Sequence, residues 1–440
     1  MRHGLGQAIR LVWAAAVALV LAGCSSSKQP ERTSLEFWCY MGGGASDPTA
    51  RFWNAVAARF EKANPNVKVK VTADIPHEYY MSMLGTRFIG RNAPDVMLMD
   101  DVEVGDLARE ALLMPLERFL RSDRGYRGRD FAPSMVRDSY VNGIRYSIPW
   151  YGSFVQLTYR TDLFAQAGVT PPRTWDELLA TCRTIQQRLG MQYPFGMDLS
   201  ASFWMINWIW QNGGDVLSAD SKRVTLDSPE CIGAVQFVHD LVHKHGVVDP
   251  GLASGTKMPD LWSLGKIAMM LDGAFSIGRY DQQFPQWRGK WEVAPLPAGR
   301  KDISFYGGAH LVMSRRTRHP ALAWRFMAFA TSVQNQLRYA DMLGSPPANL
   351  AVFELPEFQK RHPHLVRMRR VIAHGRNNPL VPFFGKIWYE MFANEVLDVV
   401  MHDPHADVAA TLRAANRDAQ RAADDYWATH PKFASEGAGE

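Results

Sequence analysis

Apolar positions recur along the chain with two periods, and the switches between them mark out the elements. Leu35 to Tyr40 reads as a strand. Asp47-Pro48 is an N-cap followed by proline at the first helical position. Phe52, Val56 and Phe60 then fall four residues apart, which predicts an amphipathic helix ending at Asn64-Pro65. Val67 to Val71 alternates valine with lysine and predicts a second strand. A helix over Tyr79 to Gly90 and a buried strand over Val96 to Met99 follow. This β-α-β-α order predicts an α/β unit with a largely parallel sheet.

The middle of the chain repeats this grammar. Val155 to Tyr159 predicts a strand. Thr174-Trp175-Asp176-Glu177 is a capping box that opens a helix with Leu178, Leu179, Cys182 and Ile185 inside. Buried segments at Ile267 to Leu271, Val293 to Pro297 and His310 to Met313 are set off by Pro and Gly. Pro320 starts a helix with Ala323, Phe326, Met327 and Ala330 on one face, and a mostly polar helix runs from Asp407 to Trp427. No internal repeat is visible.

The N-terminus departs from this pattern. Arg2, His3 and Arg10 precede an uncharged apolar run, Leu11 to Leu21, shorter than the roughly 20 residues a spanning helix needs. It reads as a secretory signal. Leu21-Ala22-Gly23-Cys24 resembles the lipobox of bacterial lipoproteins, in which the Cys24 thiol would take the lipid. Residues 1–23 are thus expected to be a signal peptide and 24–33 a lipidated tether, with acyl chains holding the protein to a membrane.

Cleavage after Gly23 removes 23 of 440 residues and leaves 417, enough for two or more lobes. It also removes Arg2 and Arg10, so 47 of the 49 basic residues remain against 44 acidic ones, a net charge of +3. Without a long basic run, no nucleic-acid partner is expected. Cys39, Cys182 and Cys231 are too few and too scattered for a disulfide framework. Neither CxxC nor HExxH occurs, so no metal or cofactor is expected.

The order of segments resembles the family 1 extracellular solute-binding proteins, the sugar and glycerol-phosphate receptors of ABC importers. The pieces that carry it are Phe37-Trp38, Phe60-Glu61-Lys62-Ala63-Asn64-Pro65, Asn92-Ala93-Pro94-Asp95-Val96 and Leu112-Leu113-Met114-Pro115-Leu116. They continue with Ile148-Pro149-Trp150, Tyr159-Arg160-Thr161-Asp162-Leu163-Phe164 and, most tellingly, Pro171-Pro172-Arg173-Thr174-Trp175-Asp176-Glu177-Leu178. Gln211-Asn212-Gly213-Gly214-Asp215, Gly265-Lys266-Ile267-Ala268-Met269, Gly307-Gly308 and Ala323-Trp324-Arg325-Phe326 close the series. The resemblance implies a two-lobe α/β periplasmic-binding-protein-like fold of type II, with hinged lobes and a central ligand cleft. It implies one lobe of 34–149 plus 299–345 and another of 150–298 plus 346–435. It further implies a monomer outside the cytoplasm, in the periplasm or on the cell surface, that hands its ligand to the membrane subunits of an ABC importer.

A sugar has nearly apolar ring faces and a rim of hydroxyls, so its site needs aromatic platforms and a few carboxylates or amides. The chain holds 14 Trp and 14 Tyr. Ligands in open α/β sheets bind outside the carboxyl ends of strands. That rule selects Trp38 and Tyr40 beside Gly42-Gly43-Gly44, Asp101 beside Asp100, and Asp272 with Gly273. Trp150, Tyr151 and Ser153 lie at the expected lobe crossing. The resemblance adds His77, Trp204, Gly307 and Gly308, and agrees on Asp101, Ser153 and Gly273. Trp262, Trp388 and Tyr389 are further aromatic candidates.

One departure concerns the late arginine that contacts phosphate in glycerol-phosphate receptors. Only Lys386 lies in the matching stretch, with Arg376 slightly upstream, and this favours a neutral mono- or oligosaccharide. The alternative classes are a lipid-anchored carbohydrate-active enzyme, in which Asp101 and Asp272 would flank the scissile bond, and a surface adhesin. No GxSxG motif is present, and a non-catalytic binder is expected.

Overall fold

The computed structural model describes residues 32–40, 48–254 and 257–430. The expected signal peptide, Cys24, most of the tether, Gly42-Gly43-Gly44 and the expected N-cap Asp47 lie outside the described residues. Strand β1 (Thr33–Tyr40), helix α1 (Pro48–Ala63), β2 (Val67–Ile75), α2 (His77–Ile89), β3 (Val96–Asp100) and α3 (Asp101–Arg109) form the predicted opening. β1 pairs in parallel with both β2 and β3. α1 buries Phe52, Trp53, Val56 and Phe60, the face set by its four-residue spacing.

After α4 (Pro133–Asp138), a hairpin of β4 (Tyr140–Val141) and β5 (Ile144–Arg145) turns at Asn142-Gly143. Both turn residues have positive φ, 52° and 72°, as a two-residue hairpin turn requires. β6 (Ser147–Arg160) is a single strand of 14 residues. α5 (Trp175–Leu189) follows, its first turn closed by Glu177 N donating to Thr174 Oγ1 at 3.1 Å. Next come β7 (Phe195–Gly196), α6 (Ser202–Gln211), α7 (Pro229–His243), β8 (Met269–Gly273), β9 (Trp291–Ala294) and β10 (Tyr306–Met313). The helices α8 (Pro320–Ala330), α9 (Val333–Leu343) and α10 (Val408–Thr429) complete the set used below.

The sheet order is β2-β1-β3-β10-β6-β8-β7, with β9 also on β6. Ser147 to Phe154 of β6 pair with β10, whereas Val155 to Arg160 pair with β8 and β9. One strand therefore serves both lobes, and the expected crossing at 149/150 falls inside it. Two buried clusters flank the change of partner. One holds Leu35, Phe37, Trp53, Trp150 and Leu311, and the other Leu157, Cys182, Trp208, Leu271 and Trp388. The first also takes Val352, Phe353, Phe358, Leu365 and Ile372, although 346–435 was expected in the second lobe. The later part, from Phe383, joins the second cluster. Cys39, Cys182 and Cys231 are buried.

Candidate functional site

The parallel order of β1, β2 and β3 brings their carboxyl ends to one edge, and the first polar groups of the site stand there. β3 ends at Asp100, and its backbone N–H donates to Glu103 Oε2 at 3.0 Å, which fixes the start of α3. The Tyr40 hydroxyl, from the end of β1, donates to Asp100. Asp101 opens α3 with its carboxylate turned toward β10. Its Oδ1 accepts from Val102 N at 2.9 Å. Its Oδ2 accepts from Gly308 N at 2.8 Å and from Asn377 Nδ2 at 2.6 Å.

Asn377 joins a second acid to the first. The same Nδ2 donates to Asp138 Oδ2 at 2.9 Å, at the end of α4. Asn377 Oδ1 accepts from Asn378 N at 2.8 Å, and Asn378 Nδ2 donates to the Tyr389 hydroxyl at 2.8 Å. Tyr389 rides on a π-helical stretch, Lys386–Met391, whose neighbours Ile387 and Trp388 lie in the second cluster. The chain of bonds thus runs from the lobe-one acids to a lobe-two phenol. Gly307 makes room for it: a Cβ there would stand 2.6 Å from both Asn377 Oδ1 and Asp101 Oδ2.

The electrostatics follow from burial. Asp101 is pushed up to about 8, first by loss of water and then by the charge of Asp138, against the bonds from Gly308 and Asn377. Burial raises Asp138 to about 6, opposed by Asn377 and Arg137. Burial and then Asp100 raise Tyr40 and Tyr151. Tyr389 exposes part of its ring, but burial of its hydroxyl end, then Asp101 and Asp100, raise it.

The predicted residues divide. Tyr40, Asp101, Tyr151, Gly307 and Gly308 come together at this seam, with Ser153 paired to Gly307 across β6 and β10. His77 opens α2 at the carboxyl end of β2. Trp38 lies under α2, its Nε1 donating to Glu36 at 2.9 Å and the Arg87 guanidinium 4.9 Å above its ring.

Trp150 is a core residue, contrary to expectation. It is 1% exposed and packs on Trp53 at 4.5 Å and Tyr339 at 5.1 Å. It falls where β6 shifts register against β10, between Pro149 and Tyr151, and Tyr151 lies 6.0 Å from the same Tyr339 ring.

Asp272 is enclosed by groups of β6, β8 and the segment just after β8. It accepts from Tyr280, from Gly273 N at 2.8 Å and from Thr158 Oγ1 at 3.4 Å, and burial raises it to about 6. Beside it, the Phe275 ring fills the place a side chain at Gly273 would take. Trp204, on α6, packs edge-on to Phe203, which meets Phe305 the same way, each pair 4.9 Å apart. Trp262 and Trp388 are fully buried, whereas Tyr389 is 42% exposed.

Asp138, Asn377 and Asn378 were not foreseen. Asp138 lies in an unpatterned stretch, and the two asparagines, between Gly375 and Pro379, read as an ordinary turn. Arg376, raised in the sequence as a possible phosphate contact, is already held. Its guanidinium meets Asp215 at 2.5 Å and stands 4.7 Å over the Trp210 ring. A separate cavity of about 510 Å³ is walled by Pro171, Pro172, Pro295, Leu296, Ile303 and Val371, among others. Its lining includes neither an aromatic platform nor an acid pair.

Two α/β lobes sharing a strand, with polar groups gathered where they meet, define a two-lobe periplasmic-binding-protein-like fold of type II. The sugar-binding protein MalE of Xanthomonas citri superposes with a TM-score of 0.81 at 20% identity, covering 92% of this chain and all of its own. The Listeria monocytogenes ABC substrate-binding protein Lmo0181, solved with cycloalternan, gives 0.76 at 20% identity, covering 89% and 98%. A relative in Brucella abortus (strain 2308) is 22% identical over 409 residues, 91% of this chain and 95% of its own. The model of the bacterial extracellular solute-binding protein family matches residues 45–337, and the chain belongs to that family.

Proposed function

We propose that this protein is the extracytoplasmic substrate-binding subunit of an ABC-type importer and takes a neutral mono- or oligosaccharide between its lobes. The observation that carries this reading is the seam itself. Carboxylates of Asp100, Asp101 and Asp138 stand with the phenols of Tyr40, Tyr151 and Tyr389 where two lobes face each other. Carboxylates accept from neighbouring hydroxyls, and phenol rings cover the C–H faces of a sugar. The sugar-binding proteins of the same fold support the ligand class.

Two rival readings fit less well. A glycerol phosphate would bring negative charge to a group of acids, and Arg376 is balanced by Asp215. A glycosidase would need Asp101 and Asp272 free to work on one bond, whereas Asp272 is enclosed by Tyr280, Thr158 and Gly273. The expected lobe boundaries, the monomeric state and lipidation at Cys24 belong to the same proposal. Closure follows if the closed form binds the sugar more tightly, since only that difference shifts the population.

A thermal-shift and calorimetric screen tests the reading, with mono- and oligosaccharides and with glycerol phosphates as controls. A sugar at 100 times its dissociation constant adds about 2.7 kcal/mol to stability. Solution scattering should show compaction on the same addition. Stabilisation by glycerol 3-phosphate and by none of the sugars would overturn the ligand class, and product formation from oligosaccharides would overturn the binder. Mass analysis of membrane-extracted protein tests the acyl group on Cys24.

A further inference from the structure

Asn377 stands between two acids of the seam, with no amide hydrogen left to offer a solute. Both hydrogens of Nδ2 go to carboxylates, Asp101 at 2.6 Å and Asp138 at 2.9 Å, and Oδ1 takes Asn378 N. Because one nitrogen bonds both Oδ2 atoms, those atoms stand no more than 2.6 + 2.9 = 5.5 Å apart. Among the described residues neither acid forms an ion pair with Lys, Arg or His. Two buried carboxylates at that separation disfavour each other's charge, and a shared N–H donor favours it.

We propose that Asn377 is the positioning residue of the cleft. Acting through Asp101 and Asp138 rather than on the solute, it sets the direction and the ionisation of both carboxylates. This rests on the reading that the solute is held at these acids.

The backbone around Asn377 is built for that task. Arg376 N donates to Ser304 O at 3.0 Å, and Tyr306 N to Arg376 O at 2.8 Å, so Asn377 is carried beside β10 by a short parallel pairing. The bare backbone of Gly307 lets the amide reach Asp101. The next residue, Asn378, holds the lobe-two phenol of Tyr389. A shift of lobe two therefore pulls on the group that orients the lobe-one acids. The other titratable groups facing the pair are Asp100 and Glu103 around the start of α3, Arg137 on α4, Tyr40 on β1, Tyr151 on β6 and Tyr389.

The test compares the full chain with Asn377→Leu, which keeps the size and removes the amide, and Asn377→Gln, which restores an amide on a longer arm. Asn377→Ser serves as a second loss variant if Leu impairs folding. The first readout is the titration of the aspartate carboxyls by carbon-13 NMR or infrared spectroscopy without sugar. The buried pair is expected to hold its proton to a pH about one unit higher in Leu than in wild type, with Gln between them. The second is calorimetry with glucose, arabinose, maltose and maltotriose, in which Leu should weaken whichever sugar binds wild type by about tenfold. A carboxyl titration identical in Leu, Ser and wild type overturns the proposal, as does weaker binding with no change in titration, which would mark a packing role. If none of these sugars binds wild type, the functional reading fails instead, and the titration alone decides the role of Asn377.

Discussion

Asp101 and Asp272 each stand at the end of a strand, each nearly without water, yet they are held in opposite ways. Asp272 is satisfied by Tyr280 and Gly273, close to it in sequence, and by Thr158 on the paired strand β6. Asp101 depends on Gly308 and Asn377, more than 200 residues away in sequence, and has another acid beside it. Burial raises both, Asp272 to about 6 and Asp101 to about 8. An acid tied down locally behaves as structure, whereas one tied down across the seam responds to whatever moves the seam.

The sharpest way to break this comparison is to truncate each acid. Asp272→Ala leaves the Tyr280 hydroxyl and Gly273 N–H without their acceptor and should cost about 3 kcal/mol in urea unfolding. Asp101→Ala should be felt more in sugar affinity, and a reversal of the two readouts would refute the distinction. Gly307→Ala comes next, at about 2 kcal/mol with weakened sugar binding, because the new methyl displaces Asn377 or Asp101.

A pH series is subtler. Asp101, Asp138 and Asp272 bind protons more tightly folded than unfolded. Their contribution to stability is thus greatest near pH 4 and is lost as pH rises, to about 6 for Asp138 and Asp272 and about 8 for Asp101. His310, lowered to about 3 by burial and then by Arg145, acts in the opposite sense, its contribution being lost as pH falls below about 6.5. Asp138→Asn removes one acid and relieves the other, so thermal unfolding should show a flatter decline between pH 6 and 8. The smallest effect is expected from Trp150→Phe. It should lose about 1.5 kcal/mol of stability and leave sugar affinity unchanged, as a core position requires.

The fold was largely legible. Strands β1, β2 and β3 lie where alternation and apolar runs put them, and Thr174 caps its helix, although Glu177 accepts from Arg173 N and does not close the expected box. The first half of β6 was missed because Pro149 and Gly152 interrupt its pattern. The strand tolerates Pro149 where its pairing with β10 shifts register, between Ala309 and His310. Of the site, Tyr40 and Asp101 were picked out by strand ends, Tyr151 by the expected lobe crossing, and Gly307 and Gly308 by the family resemblance. Asn377, Asn378 and Asp138 had no such signal. Their partners are distant in sequence, and the π-helical turn that presents Tyr389 leaves no periodic mark.

The shared strand β6 has a thermodynamic corollary. Its 14 residues are hydrogen-bonded to β10 at one end and to β8 and β9 at the other. Neither half of the molecule can melt without tearing a row of backbone bonds from its neighbour. A calorimeter should accordingly record one endotherm rather than two, and a chain severed between Phe154 and Val155 should yield fragments that refold poorly alone.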